Sequence, residues 1–229
     1  MKLLLFDIDG TIMDSGGAGV RSLDHAFSEV FSIDDAFRDI SMAGKTDLQI
    51  IKEGLVQHGF PAGNGLVPAV MEAYLRRLRI EIGNGRKHLK PGVREALSLL
   101  HGRADDCVLG LLTGNVEQGA RIKLGSFALN GYFPAGAFGD DDEDRNRLLP
   151  IARRRFEELY GKAFDFGECV IIGDTPRDVY CAKPYGASCI AVATGPYRAD
   201  ALVRAGADVV FEDLSDTQAF LRALSIRGS

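Results

Sequence analysis

Two carboxylates, two residues apart at the end of an apolar run, open the chemical reading of this chain. Leu3–Phe6 is continuously apolar and Gly10 breaks it, so Asp7 and Asp9 stand where a buried strand gives way to a turn. In extended backbone, residues i and i+2 leave the same face, which sets these charges side by side with Ile8 opposite. Like charges this close repel. A divalent cation relieves the repulsion, and hard Mg²⁺ takes a few carboxylate oxygens together with substrate phosphate oxygens, so phosphoryl chemistry is expected. For a bare Asp-x-Asp the alternative is an acidic corner, because Asp and Gly favour turns. Two more apolar runs end in polar residues. Thr113-Gly114-Asn115 follows Val108–Leu112 and opens a helix, where a hydroxyl and helix-start N–H groups can bind a phosphoryl group, or where Thr113 only caps the helix. Gly173-Asp174-Thr175-Pro176-Arg177-Asp178 follows Cys169–Ile172 and puts Asp178 one helical turn beyond Asp174. Four carboxylates converging on one crevice imply a bound metal.

These residues meet only if the elements bring the strand ends together. From Val93 onward short apolar runs alternate with helical periodicity: strands over 108–112, 135–138, 169–172, 189–193 and 208–211, and helices over 93–100, 116–127, 148–160, 176–185, 199–205 and 216–224. That rhythm predicts an α/β fold, a doubly wound, Rossmann-like parallel sheet, whose ligand crevice lies outside the carboxyl ends of its strands. Between the first strand and this region the pattern is different. Val20, Leu23, Phe27, Val30 and Phe31 repeat with helical spacing, as do Leu48, Ile51 and Leu55, and then Val67, Val70, Met71, Tyr74, Leu75, Leu78 and Ile82. Residues 13–88 therefore read as an inserted all-helical cap domain, and 1–12 with 89–229 as the catalytic core. Gly16-Gly17-Ala18-Gly19 reads as a flexible exit and Asn84–Gly92 as the return.

Composition narrows the class. The chain has 229 residues, 46% hydrophobic and 26% charged, with a net charge of −5 that offers no basic surface to nucleic acid. No apolar run reaches membrane-spanning length and the N-terminus is too short for a signal peptide, so no membrane association and a cytoplasmic location are expected. Cys107, Cys169, Cys181 and Cys189 lack metal-site spacing and read as buried free thiols; the four histidines read as partly exposed. Gly44-Lys45-Thr46 lacks the first glycine of a P-loop, since Asp39 stands there, and follows no strand, which excludes ATP binding at that position.

The order Asp-x-Asp-Gly-Thr, Thr-Gly-Asn, Gly-Asp-x-x-x-Asp resembles the motifs of the haloacid dehalogenase-like (HAD) hydrolase superfamily. Gly44-Lys45-Thr46-Asp47 and Ala193-Thr194-Gly195-Pro196-Tyr197 look like its phosphoglycolate phosphatase-like branch, which has a helical cap after the first motif. The resemblance implies Asp7 as nucleophile forming an aspartyl-phosphate, and Asp9 as acid and base. It implies Mg²⁺ on Asp7, the Asp9 carbonyl and Asp174, with Asp178 in support, and a small phosphorylated substrate beside Gly10, Thr11, Thr113, Gly114 and Asn115. Lys45, in the turn between two cap helices, would reach the leaving group. The dehalogenases lack a second aspartate like Asp9, so dehalogenation is not expected. A phosphomutase of the same fold and a non-catalytic binding module are the alternatives to a phosphatase. The family's phosphoryl-binding lysine has no Lys-Pro counterpart here. Arg145, in the acidic run Asp140–Asp144 and beyond, is the expected substitute, able to bridge Asp7 to the carboxylates around Asp174. Lys123, between Ile122 and Leu124, reads instead as a surface stem whose loss costs little.

Overall fold

Leucine- and isoleucine-rich runs of five or six residues hide both faces only at the centre of a sheet covered by helices. In the computed structural model, which describes residues 1–63 and 65–225, four runs of that length and two shorter strands form one parallel sheet. They are β1 (Lys2–Phe6), β4 (Cys107–Leu112), β5 (Gly136–Ala137), β6 (Cys169–Gly173), β7 (Ser188–Val192) and β8 (Val209–Phe211), in the spatial order β5-β4-β1-β6-β7-β8. The chain builds outward from β1 on one side, then crosses back to the other, so the strand order reverses at β1 and opens a crevice at its carboxyl end. Phe6 is level with Leu111 on one side and Ile172 on the other, which brings Asp7, Thr113 and Asp174 to one edge.

Side chains alternate across β1. Leu4 and Phe6 join one apolar cluster, Leu3 and Leu5 another, and both are closed to water. The covering helices are α4 (Val93–His101), α5 (Glu117–Gly125), α6 (Leu148–Tyr160), α7 (Pro176–Ala182), α8 (Ala199–Ala205) and α9 (Thr217–Ala223). The helix expected over 176–185 stops at Ala182 and tightens into a 3₁₀ turn at Lys183–Tyr185, because Pro184 has no N–H to continue the ladder.

The inserted segment is helical, as its periodicity indicates: α1 (Ala18–Phe31), α2 (Asp47–Gln57) and α3 (Leu66–Glu81). Leu23 and Phe27 of α1 are buried with Val70, Tyr74 and Leu78 of α3, and the Phe27 ring packs edge-on against Phe37 at 4.7 Å. Thr46 starts α2 with a capping box: its hydroxyl accepts from Gln49 N at 3.2 Å and the Gln49 side chain accepts from Thr46 N. The exit from the sheet is more ordered than the glycines suggest. Met13–Asp14 (β2) pairs antiparallel with His88–Leu89 (β3), so exit and return lie side by side. Gly16 and Gly17 take positive φ (64° and 78°), but Ala18 and Gly19 already belong to α1. Among the described residues no helix is long and apolar enough to cross a membrane. The four cysteines are buried free thiols.

Candidate active site

The three polar strand ends converge. Asp7 N donates to Ile172 O at 2.9 Å, continuing the β1–β6 ladder by one residue and fixing the backbone that carries its carboxylate. The chain then turns at once: Ile8 O accepts from Thr11, Ile12 and Met13, and Gly10 sits at φ 86°. A Cβ at Gly10 would collide with the Asp174 carboxylate, so the glycine serves both the turn and the close approach. Thr11 Oγ1 donates to Asp174 Oδ1 at 3.0 Å.

Asp7, Asp174 and Asp178 are all buried and offer carboxylate oxygens within 4.8 Å of one another. Burial, then the repulsion of Asp7 and Asp178, pushes the Asp174 carboxyl well above the usual carboxylate range. Asp7 is likewise raised, first by burial, with the Arg145 guanidinium pulling it back. Arg145 Nη2 lies 3.2 Å from Asp7 Oδ2 and is also paired with Asp178 Oδ1, while its Nη1 donates to Gly44 O at 3.3 Å. It is a buried bridge from Asp7 to the Asp174 side of the site, where the carboxylate it reaches is Asp178. Asp178 is fully engaged, since its second oxygen accepts from Thr175 N and Thr175 Oγ1, both at 2.9 Å. It therefore anchors Arg145 and the start of α7 rather than offering a free pair of oxygens. Asp7 and Asp174 keep their mutual repulsion, and that donor set of hard oxygens fits a divalent cation.

Asp9 is held by different partners. Its Oδ2 accepts from Lys123 Nζ at 2.5 Å and from Asn115 Nδ2 at 2.9 Å, and Asn115 Oδ1 accepts from Lys123 Nζ at 2.6 Å. Lys123 is thus 4% exposed and no surface stem. On α5 its neighbours Gly119, Ala120 and Leu124 form the buried face, and two small residues leave room for the long side chain to reach inward. That i, i+3, i+4 face was the overlooked signal. The Asn115 side chain was also missed. Thr113, fully buried, accepts from Asn115 N at 3.3 Å and Asn115 Nδ2 at 2.9 Å, and its hydroxyl lies beside Asp7 and helps to pull that carboxyl back down, so it does more than cap a helix.

These groups line a cavity of about 480 Å³ between sheet and cap. Its cap-side wall is mostly apolar, with Val20, Leu23, Met42, Ile50 and Tyr74. Lys45 lines it too, but its ammonium is paired with Glu53 of α2. Asp47, which the sequence marked only as part of a flanking pattern, is buried at the cavity edge, and burial pushes its carboxyl up to about 6.

Known proteins resemble this chain in sequence and in fold. The chain is 25% identical to a phosphoglycolate phosphatase of Agrobacterium fabrum over 99% of its own length and 95% of that protein's. It is 26% identical to one of Synechococcus elongatus over 94% and 95%. Its fold matches a crystal structure of a hydrolase from Pseudomonas syringae at TM-score 0.69 and 22% identity, covering 98% and 99% of the two chains. It matches CbbY from Rhodobacter sphaeroides in complex with phosphate at 0.72 and 16%, covering 94% and 96%. The family model for haloacid dehalogenase-like hydrolases matches residues 1–186, a span that holds every carboxylate of the cluster, and the chain belongs to that family.

Proposed function

We propose that this hydrolase is a Mg²⁺-dependent phosphatase that cleaves a small phosphate monoester of the phosphoglycolate or sugar-phosphate type through an aspartyl-phosphate. The observation that carries the reading is the division of labour at the end of β1. Asp7 is buried against Arg145 and opens onto the cavity, whereas Asp9, two residues on, is held separately by Lys123 and Asn115. In this reading Asp7 attacks and Asp9 moves protons.

An oxygen of Asp7 attacks phosphorus, the bond to the leaving oxygen breaks, and Asp9 gives that oxygen its proton. Water then attacks the aspartyl-phosphate, the Asp7–phosphorus bond breaks, and Asp9 takes the water proton. Asp7, the Asp9 carbonyl and Asp174 would hold the metal, which supplies positive charge to the phosphoryl oxygens. Thr113, the Gly114 and Asn115 backbone and Arg145 bind and orient those oxygens. The cap, residues 13–88 in this reading, closes the far side of the cavity, where Lys45 meets the rest of the ester, while Gly10 lines the sheet side and Thr11, buried on Asp174, shapes the metal end instead of touching the ester. The names of the relatives from Agrobacterium fabrum and Synechococcus elongatus support this chemistry. A panel of small phosphate esters assayed for phosphate release, with Mg²⁺ and with chelator, tests it. Release confined to the Mg²⁺ arm is expected; release unaffected by chelator, or none from any ester, sinks the reading.

A further inference from the structure

The cap loop before α2 is woven into the loop that follows β4. Asp47, the first residue of α2, makes a reciprocal pair with that loop. Its N–H donates to Gly114 O at 2.8 Å, and its Oδ2 accepts from Val116 N at 2.9 Å. The next carbonyl, Asn115 O, accepts from Gly139 N at 2.8 Å. A Cβ on Gly114 would run into Lys45 O, and one on Gly139 into Gly114 O, so three backbone segments touch without side chains between them. Val116 precedes α5 and finds no acceptor on its own helix; the carboxylate that takes its N–H comes from the cap, 69 residues earlier in the chain. The loop thus clamped carries Asn115, whose amide donates to both Asp9 and Thr113, and Thr113 itself, which sits at the end of β4 beside Asp7. The Asp47 carboxylate also attracts the Lys123 ammonium, the other partner of Asp9.

We infer that Asp47 is a positioning residue of the phosphoryl site. Resting on the phosphatase reading, it holds the 113–116 loop so that Thr113 and Asn115 stay aligned with Asp7 and Asp9. The site is complete only with the cap loop docked, and Asp47 acts without touching the leaving group. Its loss must then be felt by every substrate alike, however small.

The test compares Asp47→Ala with Asp47→Asn in the full chain, the amide oxygen of Asn being able to accept from Val116 N. Methyl phosphate serves as the minimal substrate, the best ester of the panel as the larger one, and inorganic phosphate as inhibitor. Asp47→Ala is expected to lower kcat on both esters by the same factor, about 10- to 100-fold, the scale of one charge-assisted hydrogen bond, and to weaken phosphate inhibition. Asp47→Asn is expected to recover most of both. A loss confined to KM of the larger ester would make Asp47 a leaving-group contact. An Asn variant as impaired as Ala, or an Ala variant unimpaired, would equally overturn the inference. If Asp47→Ala does not fold, Asp47→Ser, with a shorter acceptor, takes its place. If the wild type hydrolyses no ester, the phosphatase reading fails on its own. Amide exchange at residues 114–116 still decides the positioning: faster in the Ala or Ser variant than in Asn supports it, unchanged exchange overturns it.

Discussion

At the scale of single residues, the site divides two buried cations between Asp7 and Asp9. Arg145 touches Asp7 and Lys123 touches Asp9, so each aspartate has its own cation. Removing Arg145 strips charge from the phosphoryl end and leaves Asp178 buried without its partner, a loss on the order of 3–5 kcal/mol when a buried pair is broken. Arg145→Ala is therefore expected to melt well below the wild type and to lose phosphate affinity. Lys123→Ala removes a holder of Asp9, the proposed proton-transfer group, so its loss is expected in kcat, about 10²-fold or more, with KM for the ester nearly unchanged. Steady-state kinetics with matched melting curves separate the two; a Lys123→Ala enzyme with wild-type kcat would return Lys123 to a structural role. Asp7→Asn is expected to lose at least about 10³-fold in turnover, because an amide neither attacks phosphorus nor carries charge. Its melting temperature without metal should not fall, since the repulsion with Asp174 goes with it.

At the scale of elements, the loop after β7 closes the site from outside the motifs. Thr194 Oγ1 donates to Gly10 O at 2.6 Å, and a Cβ on Gly195 would strike the Asp174 carboxylate. Gly195→Ala is accordingly expected to displace Asp174 and raise the Mg²⁺ concentration needed for half-maximal activity, while Thr194→Val leaves that concentration nearly unmoved. A Mg²⁺ titration of activity checks it, and equal behaviour of the two variants would count against the contact. The elements themselves were largely legible, because runs such as Val108–Leu112 and Cys169–Ile172 are apolar throughout and end in glycine or polar residues, a signature buried parallel strands share with little else. The β2–β3 pairing was not legible: two residues per strand leave no periodicity, and its partners, Met13 with Leu89 and Asp14 with His88, are 76 and 74 residues apart. The inward course of Lys123 is hidden from its immediate neighbours Ile122 and Leu124 and shows only on the helix face it shares with Gly119 and Ala120. Asp47 was passed over because its partners, Gly114 and Val116, are close only after the cap has folded back onto the sheet.

At the scale of the whole molecule, the buried acids tie stability to pH and to metal. Asp7, Asp47 and Asp174 all hold protons more tightly in the folded chain than in the unfolded one, burial being the first cause for each. A group raised in this way contributes stability that is complete below its ordinary value of 3.8 and is lost as pH climbs through the folded value. For Asp47 that window runs from 3.8 to about 6, and for Asp174 it extends well above 3.8. Glu81, lowered by its hydrogen bond from Arg21, works in the opposite direction, losing its contribution as pH falls. The metal-free protein should therefore become less stable as pH rises from mild acid towards neutrality. A cation on Asp7 and Asp174 competes with their protons, so the stabilisation by Mg²⁺ is expected to be small near pH 4 and to grow towards pH 7. At a hundredfold excess over its Kd, a ligand specific for the folded state adds about 2.7 kcal/mol, or on the order of 5–10 °C in Tm for a chain of this length. Melting curves with and without Mg²⁺ across this pH range check the prediction, and Asp174→Asn supplies the control: in that variant the shift should vanish and the decline in metal-free stability with pH should flatten. A Mg²⁺ shift that survives Asp174→Asn, or that does not depend on pH, would place the cation away from the strand-end carboxylates.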